Sequence, residues 1–253
     1  MRIYDAHIHI PGENGEVFWN IGKRIRSLKE LVDGLNRWGI DKGVICSTVS
    51  TLAKSPEEFI RGNREVFHAV RKYPDRFWGA CIVNPMFLKE SLKELETCME
   101  RFGFSWLGEL CPYIGGYEVI SKNMFKVIEA ASSLGYIIQV HCETEELEKI
   151  ASKFPETTFV FPHLSGLKEC ERRFKAIARY DNYIDISGSQ IVRYGILELA
   201  LEIIGVDRIL FGSDLIIDNP APTIARVNDL EISKRDKKKI FWRNLDDLLR
   251  SRV

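Results

Sequence analysis

The feature that most limits what this chain can fold into is an alternation. Short apolar, β-branched runs recur between longer segments of helical period, and they do so eight times. The runs cover residues 2–10, 42–47, 77–84, 105–110, 136–142, 158–163, 183–187 and 208–212. Between them apolar residues fall on single helical faces, as in Leu28, Leu31, Leu35 and Trp38, or Leu88, Leu92, Leu95, Met99 and Phe102. The second helix carries its own start signal: Ser55 as N-cap, Pro56 in the first turn and Glu58 as the partner of a capping box. A last helix is expected over 233–250. Eight βα repeats in 253 residues have the dimensions of a (β/α)8 TIM barrel, an α/β fold, and no Pro/Gly/Ser-rich linker divides the chain. A single domain over 1–253 is therefore expected. The rival, an open doubly wound sheet, would carry a Gly-rich phosphate loop after a strand, and none is present.

Composition narrows the class of function. Hydrophobic residues at 45% and charged residues at 28% are those of a folded globular chain. The 36 basic and 36 acidic residues cancel, so no overall field favours nucleic acid or an anionic membrane. Six widely spaced cysteines without a C-x-x-C pair suggest reduced thiols, and no apolar run reaches the ~18 residues of a membrane span. With no leader-like segment after Met1, a cytoplasmic location is expected. The expected partner is a small-molecule substrate, not nucleic acid or a membrane, with a homo-oligomer left open.

Asp5-Ala6-His7-Ile8-His9 closes the first run. A strand's period of two sets Asp5, His7 and His9 on one face and Ile8 on the other. Neighbours on that face stand ~7 Å apart in an ideal strand, so a bend at its end brings both imidazoles onto one cation. The chain has five histidines. Four of them, His7, His9, His141 and His163, end the first, fifth and sixth runs, while His68 falls on the polar side of the second helix. Glu109 closes the fourth run and Asp214 follows the eighth. Taken singly, His141 and His163 read equally as core histidines, and Glu109 or Asp214 as rim residues in salt bridges. In a barrel, however, all these positions face one cavity. Four imidazoles and two carboxylates, with no thiolate signature at these strand ends, suit zinc or a similar borderline divalent ion better than magnesium.

These residues resemble the amidohydrolase superfamily, whose members place a D-x-H-x-H strand first, histidines after strands five and six, and an aspartate after strand eight. The corresponding segments here are Asp5-Ala6-His7-Ile8-His9, Val140-His141-Cys142, Pro162-His163-Leu164-Ser165-Gly166 and Leu210-Phe211-Gly212-Ser213-Asp214. The sequence is most similar to the amidohydrolase-related branch that includes aminocarboxymuconate semialdehyde decarboxylase, for which Gly-Ser-Asp after strand eight is typical. The resemblance covers nearly the whole chain. It implies that His7, His9 and Asp214 hold an inner metal and that His141 is a further ligand. For His163 it implies one of two roles: polarising substrate and moving protons beside one metal, or joining His141 on a second. A bridging group is implied on strand four, where no lysine stands and Glu109 does, so one or two ions per chain are expected, with zinc first. Gly108-Glu109 is also similar to the fourth strand of TatD-type deoxyribonucleases.

The activity so implied is that of a metal-dependent hydrolase, activating water against a small amide, lactone or ester with Asp214 as proton acceptor. A decarboxylase on the same scaffold, a TatD-like phosphodiesterase and a non-catalytic metal-binding barrel are the competing readings. Arg193, after the seventh run, has a guanidinium suited to forking onto a substrate carboxylate, though a solvated helix position accounts for it equally. Tyr113, Asn84 and Ser187 also stand near strand ends, where they would line a pocket. Phe18 and Trp19, in the 11–26 connection, are placed either to cover a ligand or to pack on the rim.

Overall fold

The computed structural model describes residues 1–17, 25–166 and 168–251. All eight runs form strands: β1 (Tyr4–Ile10), β2 (Lys42–Ser47), β3 (Phe77–Cys81), β4 (Trp106–Leu110), β5 (Ile137–Val140), β6 (Phe159–Pro162), β7 (Tyr183–Asp185) and β8 (Ile209–Leu210). Each pairs in parallel with the next, in the order β1-β2-β3-β4-β5-β6-β7-β8. The ring closes by single bonds between β1 and the segment after β8. Ala6 N donates to Phe211 O and Asp214 N to His7 O, both at 2.9 Å, and Ile8 bridges Leu215. Every strand is followed by a helix: α1 (Leu28–Trp38), α2 (Pro56–Lys72), α3 (Leu88–Phe102), α4 (Lys122–Ser133), α5 (Thr144–Lys153), α6 (Cys170–Arg179), α7 (Ile196–Ile204) and α8 (Pro220–Asp229). This is the (β/α)8 TIM barrel that the alternation implies. The strands are buried on both faces, as a parallel barrel requires, which is why they read as continuous apolar runs.

Except for β2 the strands are shorter than the apolar runs, for local reasons. The run ending at Asn84 leaves the ladder at Cys81. Asn84 then caps a 3-10 turn (Pro85–Phe87), its Oδ1 accepting from Met86 N at 3.0 Å, while its Nδ2 donates to Gly115 O at 3.0 Å. Asn84 thus braces loops and does not line the cavity. β8 keeps two residues because 211–215 turn away to make the closing bonds with β1.

Ser55 does stand at the N-cap of α2 with Pro56 at the first position, but its side chain makes no cap bond. Glu58 reaches past it to accept from Lys54 N at 2.6 Å, so the expected capping box does not form. The C-terminal helix runs as Lys234–Lys238, a π turn (Lys239–Arg243) and Asn244–Arg250, with Ser233 as N-cap. The π turn has a cause: the Ile240 carbonyl accepts from Phe211 N at 3.0 Å, tying the helix to the end of β8. All six cysteines are unbridged. Among the described residues no helix is long and apolar enough to cross a membrane. Phe18 and Trp19 lie outside the described residues.

Candidate active site

Two bulges build the site. The β1–β2 register shifts between Asp5 and Ile8, and the β4–β5 register between Leu107 and Leu110. A bulge re-aims side chains at a strand end. At the first, His7 Nε2 and His9 Nε2 come to 3.2 Å of each other, less than half the ~7 Å repeat of a straight strand. At the second, Gly108 holds φ 123°, and a Cβ there would stand 2.1 Å from the Gln139 carbonyl oxygen. Only glycine lets β4 approach β5 this closely, and Glu109 is the residue so delivered to the centre. His163 and Asp214 hold left-handed φ of 68° and 59°. Such backbone costs on the order of 1–3 kcal/mol for a non-glycine residue and is found where function demands it.

The donor atoms converge. Asp214 Oδ1 lies 3.1 Å from His9 Nε2 and 3.5 Å from His7 Nε2, and the ligating atoms of these three residues fall within 4.8 Å of one another. Glu109 stands between two pairs of imidazoles. Its Oε2 is 3.2 Å from His7 Nε2 and 3.7 Å from His9 Nε2; its Oε1 is 3.1 Å from His141 Nδ1 and 3.5 Å from His163 Nε2. A second group of potential ligands, Glu109, Cys111 and His141, also falls within 4.8 Å. A thiol thus stands beside these donors, although the strand ends that bear them carry none. Cys111 is the first residue after β4, and the chain turns there so that its Sγ lies 3.1 Å from Glu109 Oε2.

The inner histidines are held from behind. His7 Nδ1 lies 3.1 Å from Ser187 Oγ and 3.3 Å from Asp185 Oδ2. Asp185 Oδ2 in turn accepts from Gln139 Nε2 at 2.8 Å, and Gln139 Oε1 accepts from Trp106 Nε1 at 3.0 Å. Cys46 Sγ is 3.2 Å from His9 Nδ1. Such contacts turn each Nε2 toward the cavity, the arrangement usual behind metal-ligating histidines. Asp5 is wholly buried. Its Oδ1 accepts from His7 N and Ser213 N, both at 3.0 Å, stitching β1 to the segment that carries Asp214.

Charge in the metal-free cluster follows from this packing. Burial disfavours protonation of His7, but Glu109, Asp185 and Asp214 outweigh it and hold its pKa well above the ordinary range. For His9, burial is likewise overcome, by Cys46 and Asp214, and the pKa is pushed up to about 10. Burial would raise Glu109, yet His7, His141 and His163 hold it well below the usual carboxylate range. His163 is raised, burial notwithstanding, by Glu109 and Asp214. Burial pushes Asp5 up to about 7 against the hydrogen bonds from Ser213 and His7. Protons thus occupy sites where a cation would also be favoured.

The residues fit a divalent cation. Asp214 Oδ1 is buried and has no hydrogen-bond partner, although two imidazole nitrogens face it. Without a cation a proton on His9 is what reconciles these groups, and a divalent ion held by the same three atoms would take its place.

Above these groups opens a cavity of about 190 Å³, lined by Glu109, Cys111, Tyr113, His141, His163 and Asp214 and, farther out, by Gln190 and Asp218. Tyr113 stands edge-on to His141 at 5.0 Å between ring centroids. Arg193 is exposed and does not line the cavity, because the 3-10 turn Ser189–Val192 ends just before it and carries it outward. His68 is exposed on α2, facing Glu13 at 3.4 Å. A larger open groove between α5 and α6 is lined by side chains already paired with one another, such as Arg172 with Glu148 and Lys175 with Glu171.

Sequence reading did not single out Asp185, Cys46 or Cys111. Asp185 had a signal: period two from Ser187 puts both on one face of the seventh run. The cysteines had none, since a buried thiol in a strand reads as a small hydrophobe.

Residues 4–250 match the amidohydrolase family model. The chain belongs to the amidohydrolase family. Its fold is that of several solved members and relatives, at identities too low to carry more than the fold. 2,6-Dihydroxybenzoate decarboxylase from Rhizobium superposes with a TM-score of 0.74 at 17% identity, covering 99% of this chain and 98% of the other. 5-Carboxyvanillate decarboxylase from Novosphingobium aromaticivorans, complexed with manganese and a nitrobenzoic acid, gives 0.78 at 15%, covering 98% and 96%. A probable 2-pyrone-4,6-dicarboxylic acid hydrolase from Acinetobacter baumannii gives 0.70 at 16%, covering 98% and 99%. Among curated protein sequences, none matches this amidohydrolase.

Proposed function

We propose that this amidohydrolase is a metal-dependent hydrolase of a small amide, lactone or ester, with two cation positions that share Glu109. The carrying observation is the placement of that carboxylate, one oxygen toward His7 and His9 and the other toward His141 and His163. A carboxylate so placed can bridge two cations ~3.5–4 Å apart and offset their repulsion.

His7, His9 and Asp214 would hold the inner ion; Glu109 and His141 would share in the outer one. When bound, a divalent ion polarises an oxygen ligand and brings the pKa of a coordinated water toward ~7. The chain's own groups do the rest. Asp214 borders the cavity as well as the inner cluster, so its carboxylate is placed to take a proton from water and pass it to a leaving group. His163, with Nδ1 at 3.0 Å from Ser187 Oγ and Nε2 toward Glu109, borders the cavity and is placed to donate toward a substrate oxygen. Tyr113 closes one wall against His141 and sets the shape of the substrate.

Decarboxylation is the second reading, favoured by the fold shared with two decarboxylases of aromatic acids. Against it, no lysine or arginine lines the cavity among the described residues, Arg193 included, so a substrate carboxylate would be met there by imidazoles and not by a guanidinium or ammonium group. The metal-loaded protein should cleave simple lactones or esters and release no carbon dioxide from hydroxybenzoates. Glu109→Gln, which keeps shape but loses charge, should bind one ion fewer per chain by elemental analysis. One ion in both proteins removes the bridge, and carbon dioxide release without ester or lactone cleavage makes the protein a decarboxylase.

A further inference from the structure

We infer that Cys111 is a metal ligand: with Glu109 and His141 it forms the outer cation position, which takes a thiophilic divalent ion such as zinc and discriminates against manganese. This rests on the two-position reading of Glu109 and adds the donor that decides which metal the outer position prefers.

Three observations carry it. Cys111 Sγ stands 3.1 Å from Glu109 Oε2 and His141 Nδ1 stands 3.1 Å from Oε1 of the same carboxylate, and the sulfur, oxygen and nitrogen donors of the three residues lie within 4.8 Å of one another at the cavity wall. Cys111 lines the cavity, whereas Cys81, Cys98, Cys142 and Cys170 are packed in the apolar core. Cys46 also approaches the cluster, but it meets His9 on Nδ1, the side away from Asp214, and supports a ligand from behind. Finally, the thiol is set against a carboxylate that four imidazoles surround, so its sulfur adds a soft donor to a nitrogen and oxygen cluster.

Thiolate sulfur selects zinc and other soft or borderline ions, while manganese prefers oxygen. The inner position, with two nitrogens and one oxygen, lacks that bias. The two positions of one site therefore differ in metal preference. Binding at the outer position exchanges the S–H bond of Cys111 for a sulfur–metal bond, and the thiol proton leaves to solvent. The thiolate and Glu109 together then balance much of the ion's charge.

Cobalt(II) titration of the metal-stripped full chain tests this by absorption alone. The first equivalent should bring ligand-field bands without sulfur-to-cobalt charge transfer, and the second should bring the charge-transfer band. Cys111→Ser should keep the first phase, lose the band, and bind the second equivalent at least roughly tenfold more weakly, the smallest loss expected when even an outer-shell partner is removed. Cys111→Ala guards against a folding defect in the serine variant, and Cys46→Ser should leave the band in place. Two equivalents bound without a sulfur band, or a Cys111→Ser protein that binds the second ion normally, would show that Cys111 is not a ligand while leaving two positions standing. A single equivalent without the band would remove the outer position itself, and the inference with it.

Discussion

The inner and outer halves of the site are built on different principles. His7 and His9 are wholly buried, and each has its rear nitrogen against a fixed partner, Asp185 and Ser187 for one and Cys46 for the other. Behind Asp185 the chain of bonds continues through Gln139 to Trp106, deep inside the barrel. His141 and His163 stand at the mouth, with side chains 32% and 14% exposed, and His141 spends its Nδ1 on Glu109. The inner half is thus preorganised by the barrel wall, while the outer half depends on one carboxylate. Rigidly supported ligands favour retention of a metal, and open ones favour exchange and substrate access.

The sharpest way to break this contrast is to remove the inner ligands. His7→Ala/His9→Ala should lose the inner ion entirely and activity to background, since apolar side chains supply no donor. Metal analysis of the purified, folded double variant checks it, and wild-type metal content would end the inner-site assignment.

Asp214→Asn should cost turnover about 10²–10⁴-fold on a working substrate, the range for loss of a positioned proton acceptor, with little change in melting temperature. Near-normal kcat would take Asp214 out of the proton path.

Asp185→Asn probes the support behind His7 without touching a ligand. Metal affinity of the inner position should fall about 10–100-fold, while that of the outer position changes little. Equal weakening of both would mean that the halves are not independently built.

The smallest effect is one of pH on the metal-free protein. His9 has its pKa pushed up to about 10 from 6.5, so the stability it contributes is fully present below pH 6.5 and lost as pH rises toward 10. Asp5, raised from 3.8 to about 7, works in the same direction between those values, because the folded state holds its proton longer. The melting temperature of the stripped protein should therefore decline from pH 6.5 to 10. Added zinc should stabilise more at the upper end, where protons no longer compete for the imidazoles. A flat profile would show that the inner imidazoles carry no extra protons.

The barrel was legible in the sequence because its signals are local. Strand runs and amphipathic helical faces depend on period alone, and their eightfold repetition leaves few topologies. The same holds in part for the inner cluster: His7 and His9 share a strand and Asp214 follows the closing one, which sets all three at one end of the barrel, while the bulge in β1 draws the two imidazoles together. Glu109 was visible as the end of a strand, and the family resemblance implied a bridging role for it; how its two oxygens divide between the imidazole pairs depended on the bulge at Gly108 and the close approach of β5. Arg193 was placed by strand order alone, and a short 3-10 turn, invisible as a period, carried it out of the cavity. Cys111, Cys46 and Asp185 owe their relation to the site to contacts with residues 2, 37 and 178 positions away, Glu109, His9 and His7 respectively. Sequence by itself determined the barrel and the strands that bear chemistry. Only the tertiary structure decided which nitrogen of each inner histidine faces the cavity, and that the Cys111 thiol stands 3.1 Å from Glu109, because those outcomes depend on bulges and packing between strands and not on periodicity along any one of them.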